Sequence, residues 1–450
     1  MADYAKIFKA YDIRGLVPSE LDEGVAEAVG AAFAGLTKAD LVVIVHDMRT
    51  SSGPLAAAFA RGAASAGAGV VDGGLGSTDM LYYASGSFAM PGAMITASHN
   101  PARYNGIKLC RAGAKPVGQD TGLARLRELA STGKLPRAAV PGAVIKQDLL
   151  SGYASYLKTL VDLSAIRPLK VAVDAGNGMA GHTVPKVFDG LPFETVPLYF
   201  ELDGSFPNHE ANPIDPANLV DLQRAVRESG ADIGLAFDGD ADRCFVVDER
   251  GDIVSPSVLT ALIAVRELAR EPGAVVIHNL ITSRAVPEII TEHGGTPVRT
   301  RVGHSFIKAV MAERGAIFGG EHSGRFYFRD FWFADSGMLA ALHVLAALGG
   351  QDKPLSELLG QYQRYVASGE INSEVSDQAA ATARVRDAYA GQDGVTADQL
   401  DGLTITGKDW WFNLRPSNTE PLLRLNVEAD DDAILAKVTD DVLRIVRDGD

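Results

Sequence analysis

The 450-residue sequence has few cysteines, few aromatic residues and no long hydrophobic run. Its two cysteines, Cys110 and Cys244, are too few for a disulfide framework or a cysteine-rich zinc site. The longest apolar stretch, residues 338–348, contains His343 and is far too short to cross a bilayer. The first residues lack the apolar segment of a secretion signal. We therefore expect a cytoplasmic protein that does not enter a membrane.

Positive charge is also scarce, because 42 Lys and Arg residues face 57 Asp and Glu residues, for a formal net charge of -15. A nucleic-acid surface needs a basic face for phosphate contacts, so the composition argues against a nucleic-acid partner. A small anionic substrate needs only a local group of cations inside a cleft. The share of hydrophobic residues, 46%, is typical of a globular protein with a buried core.

The chain is longer than one hydrophobic core usually serves, which predicts several domains. Three stretches, beginning at Leu41, Leu169 and Gly273, repeat a pattern of buried strand, short polar loop and helix. This pattern predicts βα units on mixed or parallel sheets, in three similar α/β domains. The stretch from Ala367 onward breaks the pattern and predicts a smaller α+β domain. We predict an α/β protein with domains at residues 1–145, 146–253, 254–366 and 367–450.

Each predicted α/β domain has a second strand followed by a polar loop, at residues 92–101, 232–243 and 315–326. Ligands bind beyond the carboxyl ends of strands in α/β sheets. Three equivalent loops are therefore expected to converge on one cleft.

The first of these loops contains Ser98 within the sequence TASHNP. A serine placed directly after a strand can act as a nucleophile, and His99, Lys108 and Arg14 are polar or cationic groups that would surround it or a phosphate that it carries. The alternative is a serine turn that only ends the strand.

The second loop places three carboxylates at every second position, at Asp238, Asp240 and Asp242. One loop can direct such an array onto a single hard cation, for which Mg²⁺ is the first choice. The EF-hand calcium loop is a rival, because Glu249 falls at the twelfth position. It fails because Arg243 stands where a glycine is needed and because strands flank the loop. A solvated acidic turn is a third interpretation.

The third loop, GGEHSG, offers Glu321 and Ser323 for sugar hydroxyls, although a tight turn has the same composition. Residues 300–308 add Arg301, His304 and Lys308 as an anion-binding edge.

Near the end of the chain, the sequence RPSNTEP resembles a phosphate clamp. Its candidate phosphate ligands are Arg415, Ser417, Asn418 and Thr419. A capped turn is the alternative. Together the four loops indicate phosphoryl transfer to or from a phosphorylated sugar.

The motifs TASHNP, DGDADR, GEHSG and RPSNTEP, in this order and with KAYDIRG and VGHSFIK, resemble the α-D-phosphohexomutase superfamily. The sequence is most similar to its bacterial phosphomannomutase/phosphoglucomutase group. The resemblance implies four domains around one central cleft and reversible conversion of hexose 1-phosphate to hexose 6-phosphate. It further implies a phosphoserine, a hexose 1,6-bisphosphate intermediate that also activates the enzyme, and Mg²⁺. The expected partners are small sugar phosphates, and we expect a monomer or a weak dimer.

The residues and the resemblance together assign three sets of site residues. The catalytic set is Ser98, His99, Lys108, Arg14 and Arg243, and the metal set is Ser98, Asp238, Asp240 and Asp242. The substrate set is Tyr11, Arg301, His304, Glu321, His322, Ser323, Arg325, Arg415, Ser417, Asn418 and Thr419.

One departure from the group's sequence pattern bears on the mechanism. The sugar loop of the group commonly reads GE-x-SGH, and its histidine has been viewed as a general acid or base, but Arg325 stands there in this sequence. A guanidinium stays protonated and cannot act as a base. His322 and Lys108 are the remaining candidates. A phosphatase that uses water as acceptor and a calcium- or sugar-phosphate-binding protein are the rival functions.

Overall fold

A computed structural model describes residues 3–416 and 422–447, except the side chain of His304. Within these residues the chain forms four β-sheets with associated helices, and each sheet takes its strands from one separate stretch of the sequence. The first three sheets are mixed, and the fourth is antiparallel. The predicted α/β class with a different last domain is confirmed, while the exact domain boundaries stay a prediction.

The first sheet has strand order β1-β5-β4-β2-β3-β7, with β6 paired to β5. Its strands are β1 (Ile13–Leu16), β2 (Leu41–His46), β3 (Gly69–Leu75), β4 (Gly92–Ile95), β5 (Tyr104–Arg111), β6 (Lys115–Pro116) and β7 (Val144–Lys146). The helices of this stretch are α1 (Tyr4–Ile7), α2 (Glu23–Thr37), α3 (Ser52–Ser65), α4 (Thr78–Ser87) and α5 (Leu123–Ser131). Helix α2 begins where the Asp22 carboxylate accepts a hydrogen bond from the Val25 amide at 2.8 Å, as an N-cap residue does.

The second sheet has order β12-β11-β10-β8-β9. Its strands are β8 (Leu169–Asp174), β9 (Phe193–Leu198), β10 (Ile233–Phe237), β11 (Cys244–Asp248) and β12 (Ile253–Val254), and its helices are α6 (Leu150–Leu160), α7 (Ala180–Phe188) and α8 (Val220–Ser229). Every residue of β10 and β11 is buried, which explains why only Asp248, at the end of β11, carries a charged side chain.

The third sheet has order β14-β13-β15-β16-β17. Its strands are β13 (Val275–Asn279), β14 (Thr296–Thr300), β15 (Phe318–Gly320), β16 (Phe326–Phe328) and β17 (Ala334–Asp335). Its helices are α9 (Pro256–Arg270), α10 (Ala285–Glu292), α11 (His304–Arg314), α12 (Gly337–Gly349) and α13 (Leu355–Gly360).

The first three sheets share one arrangement of five strands. In each, a central strand (β2, β8 or β13) lies parallel to the strand that precedes the polar loop (β4, β10 or β15). The strand after that loop (β5, β11 or β16) returns antiparallel. We call the loop that contains Ser98 the serine loop, the loop that contains Asp238, Asp240 and Asp242 the acidic loop, and the loop that contains Glu321 the sugar loop. These three loops occupy the same position in three similar sheets, as expected for duplicated domains.

The fourth sheet is antiparallel, with order β18-β22-β21-β20-β19. Its strands are β18 (Val366–Glu374), β19 (Thr396–Asp398), β20 (Leu403–Thr406), β21 (Trp410–Pro416) and β22 (Leu422–Ala429), and its helices are α14 (Gln378–Tyr389) and α15 (Asp432–Arg447).

One apolar cluster runs through the first three sheets and joins Val43, Val171 and Phe318. The fourth sheet has a separate core that contains Phe412 and Val442. Shared burial holds the first three units together, because the apolar area removed from water belongs to all of them. Among the described helices, none has the length and apolar character needed to cross a membrane.

Candidate active site

Ser98 lies just beyond β4, and its side chain reaches the second sheet's acidic loop. Its hydroxyl donates a hydrogen bond to Asp238 Oδ2 at 2.8 Å and lies 3.2 Å from His99 Nδ1. The backbone has φ of 51°, in the left-handed region that non-glycine residues rarely adopt. Such strain persists only where the surroundings hold it, and it occurs often at active sites.

The carboxylates of Asp238, Asp240 and Asp242 lie together in the loop between β10 and β11. All three side chains are buried, and one oxygen from each lies within 4.8 Å of the others. Oδ1 of Asp240 and Oδ1 of Asp242 have no hydrogen-bond partner within the described residues. Buried carboxylate oxygens without a donor are costly, so this set fits a hard cation such as Mg²⁺.

Lys108 projects from β5 of the first sheet into the acidic loop. Its Nζ lies 2.5 Å from Asp240 Oδ2 and 2.7 Å from Asp242 Oδ2. Burial acts against the ammonium, but Asp240 and Asp242 outweigh it and raise the pKa of Lys108. Thr78 adds a hydroxyl that donates to Asp240 Oδ2 at 2.6 Å. Lys108 is therefore a charged hydrogen-bond donor in this site.

Arg243 follows the acidic loop and binds both the loop and His99. Its backbone amide donates to Asp238 Oδ1 at 3.1 Å, and its Nη2 lies 2.9 Å from His99 Nδ1. A guanidinium only donates, so Nδ1 is the acceptor nitrogen of the ring. Burial, followed by Arg243, holds the pKa of His99 well below its usual value, and the imidazole is neutral.

Arg14 lies on the other side of the serine loop, on β1. It donates to Asn100 Oδ1 and, at 2.5 Å, to Asp12 Oδ2. The predicted catalytic residues Ser98, His99, Lys108, Arg14 and Arg243 thus lie in one connected set of contacts, drawn from the first two sheets.

The sugar loop between β15 and β16 holds Glu321 almost fully buried. Its Oε1 accepts a hydrogen bond from Tyr327 Oη, and Ser323 Oγ lies 3.4 Å from Oε2. Burial raises the pKa of Glu321. The two predicted sugar-binding groups therefore lie side by side in this loop.

Arg325 bridges two carboxylates. Its Nη1 lies 2.7 Å from Asp242 Oδ2 and also pairs with Asp335 Oδ2. Burial disfavours the charged guanidinium, but Asp242 and Asp335 outweigh it and raise the pKa of Arg325 well above its usual value. Arg325 is a permanent positive charge beside the acidic loop.

His322 lies apart from the serine. It is in the wall of a cavity of about 430 Å³ between the third and fourth sheets, with Trp411 and Asn426 among the other wall residues. Burial lowers the pKa of His322, and Glu370 and Arg415 are the charged groups that act on it.

The remaining substrate candidates within the described residues are Tyr11, Arg301 and Arg415. The Tyr11 ring packs edge-to-face on Phe306 at 6.1 Å, and the Arg301 guanidinium lies 4.6 Å from the centre of that ring. Arg415 is buried at the end of β21, with Nη2 3.6 Å from Glu370 Oε2. Ser417, Asn418 and Thr419 lie outside the described residues, as does the side chain of His304.

The sequence interpretation missed several residues of this region. Thr78 and Asp335 contact the acidic loop or its counter-ions. Lys308, expected at an anion edge, is buried with Nζ 2.6 Å from Asp335 Oδ1. Arg49 donates a hydrogen bond to the backbone carbonyl of Ser98 in the serine loop. The one available signal was position, because Arg49 follows β2 as Ser98 follows the neighbouring strand β4.

Comparison with known proteins matches all four domains of one family along the chain. The models for phosphoglucomutase/phosphomannomutase alpha/beta/alpha domains I, II and III match residues 5–134, 151–251 and 256–365, and the C-terminal domain model matches residues 370–445. A protein named phosphohexose mutases from Xanthomonas campestris pv. campestris is 41% identical over 443 residues, covering 98% of this chain and 99% of the relative. Phosphomannomutase from Escherichia coli strain K12 is 39% identical over 437 residues, covering 95% and 96%.

A solved structure is similar over the whole molecule. The crystal structure of a phosphoglucomutase/phosphomannomutase family protein from Burkholderia thailandensis superimposes with a TM-score of 0.91 at 34% identity, covering 100% of this chain and 99% of that one. The fold and these matches define an isomerase that acts by intramolecular phosphoryl transfer. The chain belongs to the phosphoglucomutase/phosphomannomutase family, within the α-D-phosphohexomutase superfamily.

Proposed function

We propose that this phosphohexomutase interconverts hexose 1-phosphates and hexose 6-phosphates, with mannose and glucose as the sugars, through a phosphate on Ser98. The observation that carries the proposal is the hydrogen bond of 2.8 Å from Ser98 Oγ to Asp238 of the carboxylate triad. This contact supports the proposal, because a phosphate on Ser98 would lie beside carboxylates that could hold a cation, as phosphoryl transfer requires.

In the first half of the cycle, the bond between phosphorus and Ser98 Oγ breaks and a bond to the free hydroxyl oxygen of the sugar phosphate forms. The sugar hydroxyl loses its proton, and the serine oxygen takes one up. The product is a hexose 1,6-bisphosphate, which turns around in the cleft. Its other phosphate then returns to Ser98 by the reverse chemistry, so no phosphate is lost or gained over the cycle.

The protein's own charges position the transferring group. Arg243 and Lys108 present donors beside Ser98 and the triad, where negative charge develops on the phosphoryl oxygens. Asp238, Asp240 and Asp242 would hold Mg²⁺, which neutralises phosphate charge when bound. Glu321 and Ser323 are proposed to hold the 3- and 4-hydroxyls of the sugar, with Arg415 at its distant phosphate.

The contacts of the candidate residues reduce the number that could donate or accept the proton. Arg325 cannot accept a proton, and His322 lies in the wall of the cavity next to the fourth sheet. Lys108 carries a proton that it can donate to the serine oxygen as the phosphate leaves. We assign Lys108 as the acid of this step, and the proton that the sugar hydroxyl loses returns to Lys108, so that no proton is gained or lost in each half of the cycle.

One chain supplies the nucleophile, the triad and the sugar loop, so the proposal needs no second subunit, and we propose a monomer or weak dimer in the cytoplasm. Hexose 1,6-bisphosphate is proposed as activator, because it would return a phosphate to an unmodified Ser98.

The test is a phosphate on Ser98 together with metal dependence. We expect part of the isolated protein to carry one phosphate at Ser98 by intact mass and peptide mapping, and Ser98→Ala to lose both the phosphate and the activity. Removal of metal with EDTA should abolish turnover, and Mg²⁺ should restore it. Full activity with Ser98 unmodified in the presence of bisphosphate would disprove the proposal, and net release of inorganic phosphate would indicate a phosphatase.

Substrate preference follows from where mannose and glucose differ. They are epimers at carbon 2, whereas Glu321 and Ser323 are proposed to bind the hydroxyls at carbons 3 and 4. A site discriminates strongly only where the wrong substrate leaves a buried polar group unpaired. We expect kcat/KM for mannose 1-phosphate and glucose 1-phosphate to differ by no more than about a hundredfold. Measuring both under bisphosphate activation decides the point, and a much larger ratio would show that a group reads carbon 2.

A further inference from the structure

Arg49 lies beneath the serine loop and binds four of its carbonyl oxygens. Nη2 donates to the carbonyls of Ser98 at 2.9 Å and Asn100 at 2.6 Å. Nη1 donates to the carbonyls of Pro101 at 2.9 Å and Tyr104 at 3.0 Å. One guanidinium thus forms hydrogen bonds with the backbone along the whole loop, from Ser98 to the start of β5.

The guanidinium is itself held in place. The Asp47 carboxylate accepts from Arg49 Nε at 3.2 Å and from its backbone amide at 3.0 Å. Both residues are almost fully buried, with Arg49 3% exposed and Asp47 1% exposed. Because the fork of a guanidinium is planar and rigid, fixing Nε also fixes the directions of Nη1 and Nη2.

The second domain covers Arg49 from the opposite side. The Phe206 ring lies 5.0 Å from the guanidinium carbon, a distance at which a ring face attracts a cation. A Cβ built at Gly204 would lie 2.5 Å from the Arg49 Cα, so the backbone at Gly204 and the backbone at Arg49 are in close contact. Arg49 therefore contacts both the loop that carries Ser98 and the domain that carries the acidic triad.

We propose that Arg49 is a positioning residue for phosphoryl transfer, which holds Ser98 in its left-handed backbone conformation and at its distance from Asp238. The inference rests on the proposed phosphoserine function and adds a residue to it. Arg49 does not touch the reacting atoms, and it acts through the backbone carbonyls of the loop. Displacing a reacting oxygen by about 1 Å can lower a rate about a hundredfold, so loss of the fork affects the transfer step.

The test compares Arg49→Lys with wild type. Lysine keeps the positive charge beside Asp47 but lacks the planar fork, so it cannot hold carbonyls on two sides. We expect kcat to fall by at least about tenfold with KM changed less than about threefold. In single-turnover mixing with glucose 1,6-bisphosphate, transfer of phosphate to Ser98 should slow by the same factor as kcat.

Two further variants separate positioning from folding. Phe206→Leu removes the ring face and leaves every hydrogen bond of Arg49, so it should slow the same transfer step by a smaller factor. Arg61→Lys, on helix α3 of the same domain, changes an exposed arginine that pairs with Glu23 and Glu27, and it should match wild type.

The outcomes are distinct. Arg49→Lys with wild-type transfer to Ser98 overturns the inference, and so does a loss of activity explained wholly by a smaller folded fraction in thermal unfolding. If wild-type protein itself takes no phosphate on Ser98 from the bisphosphate, the proposed function fails instead.

Discussion

At the scale of single residues, Arg325 lies between two carboxylates and has the contacts of a counter-ion. It pairs with Asp242 of the acidic loop and with Asp335 at the end of β17. A buried carboxylate is destabilised unless a positive charge accompanies it. The residue that replaces the group's histidine therefore neutralises Asp242 in this chain.

Replacing Arg325 by lysine tests this role. Lysine keeps the charge but lacks the two-sided fork, so we expect kcat to fall by roughly tenfold or more. The limbs of the pH profile of kcat should keep their midpoints, because neither side chain titrates in the working range. A limb that disappears in Arg325→Lys would show that Arg325 takes part in proton transfer.

Sequence reasoning reached the residues that have a motif around them. Ser98 and the aspartates stand in short segments whose residue types suggest their chemistry. Thr78 and Arg49 have no such local signal, since their partners lie 162 and 49 residues away in the chain. Their roles depend on how the sheets dock, which a local pattern does not contain.

At the scale of elements, the serine loop and the acidic loop touch through their backbones. A Cβ built at Gly239 would lie 2.5 Å from the Ser98 carbonyl oxygen. Gly239 does not have a positive φ, so its requirement for glycine comes from this approach and not from its own conformation. The distance between Ser98 and the acidic loop therefore depends on the absence of a side chain at Gly239.

Gly239→Ala should force the two loops apart. We expect kcat to fall by about tenfold to a hundredfold, since the hydroxyl of Ser98 moves away from Asp238. The matched control is Gly53→Ala in helix α3, where an added Cβ meets nothing within 4 Å. The control should keep its kcat, because the added methyl group meets no side chain from elsewhere in the chain. Equal kcat values for the two variants would contradict the role of Gly239.

The sequence predicts long strands better than short ones. The βα units of the first three sheets were predicted because β2, β8 and β13 are rich in valine, isoleucine and leucine. The short edge strands β6, β12 and β17 have only two residues each, too few for any periodicity, and they form because a neighbouring strand offers hydrogen bonds.

At the scale of the whole molecule, one buried carboxylate joins the first three domains. Asp79 on α4 accepts hydrogen bonds from Tyr153 on α6 at 2.7 Å and from Ser336, the N-cap of α12, at 2.6 Å. Ser77 also donates to it. Burial, against these hydroxyl donors, raises the pKa of Asp79 to about 6.

This pKa predicts a pH dependence of stability. An acid with a raised pKa in the folded state stabilises the fold fully below its unfolded pKa, near 3.9, and loses that contribution as pH rises through about 6. The change amounts to about 3 kcal/mol. In Asp79→Asn this dependence should be absent, so its unfolding temperature should improve relative to wild type between pH 4 and pH 7. The exposed Asp120→Asn serves as control, and a constant difference for Asp79→Asn would contradict the prediction.

Neither Asp79 nor the shared core was visible in the sequence. Asp79 follows a threonine at the start of an ordinary helix, and its partners come from two other domains. The sequence indicated three equivalent loops that converge on one cleft. The contacts between domains depend on side chains far apart in the chain, and a single sequence carries no signal for them.

The charged residues that meet at the acidic loop are synthesised in a fixed order. A ribosome makes the amino terminus first, and domains fold as they emerge. Lys108 is therefore already present when Asp240 and Asp242 are made, whereas Arg325 and the sugar loop follow later. A chain synthesised to the end of the second domain already contains Ser98 and the acidic loop but not the loop between β15 and β16. The complete set of three loops therefore exists only after the third domain has been translated.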